Sequence, residues 1–459
     1  MKFLPNLLLF MSIAFCATAQ SFPEGKQLTQ TLDRLLAAKF KNNSVGCAML
    51  VSKKGEVIYK KAFGMADLEL NVPMTTAHVF RIASLTKQFT AVAILHLAEK
   101  GLLDLKDDIK KYVPDYPTNG QTVTIANLLS HTSGIKNYTE IEHPDVDLGK
   151  KDNKPADIIA IFKNQPFDFS PGTGYHYSNS GYILLGFIIE KMSQKSYAEY
   201  LTENIFKPLG MDHAFFDYPL TIVKNRVKGY SGMSDTTVSN AEYLNASATY
   251  SAGALMMTVD DLFKWQKGLI ENKILKPETF KQAVTPFTLS NGEKTNYGFG
   301  FGLQPLADGQ AWQHSGNING FSSFEIYLPT EDVYVTMLSN GSDKNTMTPS
   351  LFAASLAAQK ANVKDISVSA QEMGKYVGMY GFAEGGSPTK LEIYNKDGKL
   401  YLKDSRMPDA WQMHFTSSGQ FICYEVFPNN HVFTKDTSGK VDGFEIQIED
   451  MRALVRKIR

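Results

Sequence analysis

At 459 residues the chain is too long for one ordinary domain and has room for a large catalytic unit with a smaller companion. Hydrophobic residues make up 43% and charged residues 20%, a globular balance that excludes a disordered protein. Lys plus Arg equals Asp plus Glu, 47 against 47, so no global field favours nucleic acid or an anionic lipid surface. The N-terminus predicts an export signal over residues 1–19, with Lys2, an apolar run from Leu7 to Ala17 and the small residues "ATAQ". That run is shorter than the roughly 20 residues of a spanning helix, so no stable membrane span is expected after its removal. The mature protein is expected to be exported, either periplasmic or secreted.

A helix is predicted over Lys26–Phe40, and "CAMLVSKKGEVIYKKAFG" then reads as an antiparallel hairpin with a Lys-Gly turn. From Ser84 to about Leu269 helical periods dominate, separated by Gly, Pro and Asn. "YGFGFGLQPL", "AWQHSGNINGFSSFEIYLP" and "VYVTMLSN" read as neighbouring strands, and "SLFAASLAAQKA" as a closing helix. Sheet segments that enclose a helical insertion give an α/β (α+β) domain over residues 20–362, with its site between the halves. Residues 363–459 read as an all-β barrel or sandwich module, with hairpin turns at Asp397-Gly398 and Ser438-Gly439. Cys47 and Cys423 lie in apolar strand-like runs and are expected to be buried free thiols, and Cys16 falls in the signal.

Ser-x-x-Lys occurs three times, at Ser84–Lys87, Ser133–Lys136 and Ser387–Lys390, and only Ser84 opens a long helix. There serine and lysine share one face, and the helix start offers unpaired N–H groups to developing negative charge. A neutral serine needs an adjacent base of lowered pKa. Lys87 can supply it, as can Tyr177 in "YHYSNSGY", after a Pro171-Gly172 turn and just before a helix expected from about Ser180. Asn179 could bind a substrate amide. In "WQHSGNINGF", His314-Ser315-Gly316 is expected to start a strand along which a substrate backbone lies, and the Asn317 N–H could join that of Ser84 as an oxyanion hole. Tyr243 to Asn245 lacks the turn and reads as a decoy. His96 reads as packing, and His131 and His176 stay off the catalytic list. "HPDVD" from His143 is an isolated acidic loop, and neither metal nor other cofactor is expected.

In motif order and in phrases such as "GLLDLKDDIKKYVPDYP", "IANLLSHTSGI" and "SAGALMMTVDDLFKW", the chain resembles the serine β-lactamase-related superfamily of penicillin-recognising enzymes from about Ser44 to Leu356. The similarity is to its class C β-lactamase, D-alanyl-D-alanine carboxypeptidase, D-aminopeptidase and esterase branch. It implies an antiparallel sheet flanked by helices, with an all-helical subdomain. It also implies Ser84 as nucleophile, Lys87 and Tyr177 sharing base and acid work, Asn179 contacting substrate, and His314, Ser315, Gly316 and Asn317 receiving its backbone. Lactamases of the branch usually carry Lys-Thr-Gly where this chain has His314-Ser315-Gly316. A histidine of ordinary pKa is mostly neutral at pH 7, so a peptidase or esterase is favoured over a β-lactamase. The expected function is an exported serine hydrolase acting on an amide, ester or D-amino-acid peptide, with peptidoglycan-derived fragments among its candidate substrates. The alternative is a penicillin-recognising binding or regulatory protein with little turnover. Oligomeric state stays open at this level.

Overall fold

The structure is a computed structural model that describes residues 23–142, 149–232, 237–306, 309–342, 346–358, 366–382, 390–405, 410–423, 427–448 and 451–458. The export signal, the "HPDVD" loop and the boundary expected at residue 362 lie outside these. Helix α1 (Pro23–Lys39) precedes a hairpin of β1 (Cys47–Lys53) and β2 (Glu56–Phe63). Its turn holds Lys54 and Gly55 at φ 53° and 72°, the left-handed pair that a two-residue hairpin needs. Late in the chain come β3 (Gly302–Leu306), β4 (Gly309–Ile318), β5 (Phe321–Leu328) and β6 (Val333–Ser339). Together these form a six-stranded antiparallel sheet in the order β3-β4-β5-β6-β1-β2.

Helices cover both faces, which is why β5 and β6 are apolar-rich and buried at every position instead of alternating. Met49, Val51, Val335 and Met337 pack with α1 and the closing helix α5 (Met347–Ala357). Ala48, Leu50 and Leu338 join the core built on α2 (Thr86–Glu99), α3 (Asn179–Ser193) and α4 (Val259–Ile270). The segment that leads into α2 is tied down by Asp217, which is 1% exposed and accepts from Arg81 Nε at 2.6 Å and from Arg226.

β3 pairs with β4 only between Gly302↔Gln313 and Leu306↔Gly309, whereas β5 follows β4 from Trp312 to Ile318. Among the described residues, His314–Ile318 thus has a partner strand on one side and none on the other. Two strand expectations need correction. His314-Ser315-Gly316 does not start its strand but lies in its second half, because β4 begins at Gly309. The glycines of "YGFGFG" do not alternate along a strand: β3 begins at Gly302, and Gly300 sits before it at φ 82°. A Cβ there would come within 2.9 Å of the Lys87 carbonyl oxygen and 2.8 Å of Ala91 Cβ, so glycine lets this segment close onto α2.

The C-terminal segment forms a nine-stranded sheet from β7 (Gly378–Phe382), β8 (Lys390–Lys396), β9 (Lys399–Asp404), β10 (Ala410–Gln412), β11 (His414–Ser417), β12 (Gln420–Cys423), β13 (Phe427–Lys435), β14 (Val441–Ile448) and β15 (Met451–Lys457). Its edge strands β10 and β11 are separated in sequence only by Met413, so the sheet curls into a nearly closed barrel. Asp397 and Gly398 make the expected turn at φ 52° and 74°. The module is not all β, since α6 (Ala370–Tyr376) precedes β7, capped by Ser369, whose hydroxyl accepts from the Glu372 N–H. Cys47 and Cys423 are both buried and neither is in a disulfide, as expected.

Candidate active site

Ser84 stands in a single 3₁₀ turn, Ala83–Leu85, that runs directly into α2. Ala83 adopts φ 49°, a strained conformation for a residue with a Cβ. Lys87, one turn on, is completely buried, and its Nζ lies 3.1 Å from Ser84 Oγ, 2.8 Å from Asn179 Oδ1 and 2.8 Å from the Ala252 carbonyl oxygen. Asn179 is held with its oxygen towards Lys87 because its backbone N–H and its Nδ2 both face Asn137 Oδ1, at 3.1 and 3.4 Å. The Asn179 and Ala252 oxygens can only accept, whereas the Ser84 hydroxyl can donate. Burial pushes the Lys87 amine well below its usual range. A neutral amine satisfies all three contacts: two N–H bonds go to Asn179 and Ala252, and the lone pair faces the Ser84 O–H.

Tyr177 places its ring centroid 4.9 Å from Lys87 Nζ. Burial raises its phenol, and only interaction with the Ser84 hydroxyl pulls the other way, so the group stays protonated at neutral pH. Of the two bases that the sequence offers, burial thus favours the Lys87 amine over a Tyr177 phenolate. His314 is buried and lies 6.2 Å, ring to ring, from Tyr177. Its Nδ1 donates to the Ser315 carbonyl oxygen at 2.7 Å, leaving Nε2 to accept from the Tyr297 hydroxyl at 2.8 Å. Burial takes the His314 pKa down to about 3, so the imidazole is neutral.

Gly316 brings β4 against the Ser84 segment. A Cβ there would sit 2.5 Å from the Ile82 carbonyl oxygen and 2.3 Å from Ser323 Oγ. Ser315 and Asn317 are both exposed, and Asn317 Nδ2 donates to the Ser342 carbonyl oxygen at 2.8 Å. The decoy assignment fits Asn245, which is buried and caps a 3₁₀ turn. His96 packs as expected, with Nδ1 3.0 Å from the Tyr200 hydroxyl.

The loop "HTSGIKNY", residues 131–138, holds the discounted Ser133–Lys136 pair and His131, which stayed off the catalytic list. It laces the start of α3 in place: Ser178 N–H donates to His131 Nδ1 at 3.1 Å, Ser178 Oγ to the Ile135 carbonyl at 3.1 Å, and Tyr138 N–H to Ser180 Oγ at 2.8 Å. The His131 ring also packs against that of Tyr177, with centroids 4.2 Å apart and planes tilted by 36°. Because Nδ1 must accept from a fixed amide donor, the ring proton sits on Nε2, which is buried with no partner among the described residues. Leaving such a donor unpaired costs about 1–3 kcal/mol.

The buried histidines make stability pH-dependent. His314 binds its proton in the unfolded chain near pH 6.5 but in the folded protein only near about 3, so the unfolded state takes up more protons between these values. Stability is therefore expected to fall by about 1.4 kcal/mol per pH unit for this histidine as pH drops below 6.5. Buried Glu325, raised to about 7, works in the opposite sense between about 4.5 and 7, where the folded state holds the extra proton. Urea unfolding of His314→Gln from pH 6.5 to 4.5 checks this: its stability should decline less steeply with acid than that of the wild type.

Comparison with known proteins gives a consistent picture. The Beta-lactamase family model matches residues 28–360. "Penicillin-binding protein 4*" of Bacillus subtilis (strain 168) is 29% identical over 401 residues, covering 82% of this chain and 86% of that protein. Among solved structures, the octameric penicillin-binding protein homologue from Pyrococcus abyssi shares the fold with a TM-score of 0.64, 24% identity and coverage of 95% of this chain and 100% of that one. The D-amino acid amidase from Ochrobactrum anthropi SV3 complexed with D-phenylalanine matches with a TM-score of 0.59 and 27% identity, over 69% of this chain and 92% of that one.

Proposed function

Since the chain belongs to the beta-lactamase family and is a serine hydrolase, we propose that it is exported and cleaves amide, ester or D-amino-acid peptide bonds through an acyl-enzyme on Ser84. The observation that carries this reading is the arrangement around Lys87 Nζ, with two obligate acceptors and one hydroxyl within 3.1 Å. Lys87 takes the Ser84 proton as Oγ bonds to the substrate carbonyl carbon, and the new oxyanion is received by the Ser84 and Asn317 N–H groups. The Tyr177 phenol gives its proton to the leaving amine or alcohol as that bond breaks, and the Lys87 ammonium returns the proton to Tyr177. Water then attacks the acyl-enzyme carbonyl, losing its proton to Lys87, and as the acyl–Oγ bond breaks the Lys87 ammonium passes that proton to Ser84 Oγ, which regenerates both groups.

Substrate preference follows from charge. With His314 neutral, the strand offers no cation for a carboxylate on the leaving group. This favours amides and esters over free-carboxyl peptides and β-lactams, and the likeness to a D-amino acid amidase supports a D-configured acyl part. The test is intact-protein mass spectrometry with peptide mapping after exposure to a fluorescent penicillin, a D-alanyl-D-alanine peptide, its C-terminal amide and a short-chain activated ester. A transient adduct on the Ser84 peptide is expected, turning over about tenfold faster with the amide than with the free acid, a modest electrostatic preference. An adduct on another residue would reject the nucleophile. A Ser84 adduct that never clears would favour a binding or sensing protein.

A further inference from the structure

His131 combines two unfavourable features at one buried position. Its backbone lies in the left-handed region at φ 60°, and its Nε2–H has no partner among the described residues. Around it lie Tyr177 at 4.2 Å, Tyr297 at 4.7 Å and Tyr182 at 5.1 Å between ring centroids, with Lys87, His314 and His176 near enough to act on it electrostatically. Costs concentrated beside reacting groups mark a position held for something other than stability.

We propose that His131 is the positioning residue for Tyr177, fixing the phenol against Ser84 through its tilted ring contact and through the Ser178 amide bound at Nδ1. The inference rests on the roles given above to Ser84 and Tyr177. Tyr177 sits one residue before Ser178, so pinning the Ser178 N–H at 3.1 Å restrains the backbone from which the phenol projects. Ring packing at 4.2 Å restrains the ring's own rotation. A second tie acts on the same segment, as the His176 N–H donates to the His131 carbonyl oxygen at 3.0 Å. Phenylalanine would keep the ring packing but not the acceptor. Asparagine would keep an acceptor and suits the left-handed backbone, but loses the ring.

His131→Phe exchanges one unpaired donor, Nε2–H, for another, the Ser178 N–H, so its melting temperature is expected within about 3 °C of wild type. Its labelling at Ser84 by a fluorophosphonate probe should slow about 30-fold, and its kcat should fall in step with KM held within about twofold. The 13C resonance of Tyr177 Cζ should move. His131→Asn is expected to label at least about threefold faster than His131→Phe but at least about threefold slower than wild type, and if the Phe variant does not fold, an Asn variant as fast as wild type overturns the proposal. Labelling by His131→Phe within about threefold of wild type and an unmoved Tyr177 resonance would overturn the proposal, as would an Asn variant no faster than Phe. If wild-type Ser84 is not labelled at all, the hydrolase reading of Ser84 fails, and the Tyr177 resonance alone then decides for or against His131.

Discussion

Lys87→Met is expected to lower kcat by about ten-thousand-fold, the scale on which removal of the base from a nucleophile–base unit acts, while leaving the protein as stable as wild type or more so. The two halves of that expectation have one cause. Lys87 is wholly buried, and desolvation without a compensating carboxylate pushes its amine well below the usual lysine range. In the unfolded chain the same amine has a pKa near 10.4 and carries a proton. Between its lowered folded value and about 10.4 the unfolded state therefore binds more protons, so stability rises with pH through that window. Methionine removes this linkage along with the base. Wild-type kcat/KM should climb with pH as Lys87 deprotonates, and urea unfolding across pH 6 to 10 should show a slope in wild type that is reduced in the variant. A Met variant that kept more than about one-hundredth of the wild-type turnover would mean that Tyr177 is the principal base.

Gly316→Ala is expected to cost about 2 kcal/mol of stability and at least about a hundredfold in kcat/KM. The added Cβ would lie 2.5 Å from a backbone oxygen, that of Ile82, and 2.3 Å from Ser323 Oγ. Ser323 can rotate only by giving up its own bond to the Ile82 carbonyl, 2.8 Å away. The strand or the Ser84 segment must then move, and displacement of about 1 Å at the reacting atoms accounts for the loss of rate. Gly374→Ala is the control. It lies on exposed α6 with nothing within 4 Å of an added Cβ, and should gain about 0.5–1 kcal/mol from helix propensity. Thermal melts and steady-state kinetics of the two variants should therefore diverge in sign.

Much of the site was legible because local periodicity carries it. Ser84 and Lys87 meet because they are one helical turn apart, and Asn179 was placed near a helix start that the glycines and proline before it announce. What escaped depends on long-range approach. His131 reaches Ser178 across 47 positions, through a loop whose backbone conformation no hydrophobic period encodes. The Gln88–Glu325 bond, behind the site, spans 237 positions, and Gln88 reads as an ordinary helix residue. The titration shifts were also hidden: that Lys87 and His314 are pushed down and Tyr177 up follows from burial, which no spacing reveals. By contrast the short helix α6 carried its own signal, the Ser-x-x-Glu of Ser369 and Glu372, overlooked among strand-like neighbours.

The half-paired strand β4 has a consequence for association. Sheet proteins ordinarily guard an open edge with charge, proline or a bulge, since it will accept any extended chain, including another copy of itself. Residues 314–318 carry none of the charged or proline guards, with His314 neutral, yet their free stretch is bounded by β3 at Gln313 and by the turn at Gly320. It admits a few residues of extended backbone and is too short to align a long strand. Protection against edge-to-edge aggregation here comes from length alone, so a shortened β3 would be expected to bring fibril-prone behaviour before it altered the core.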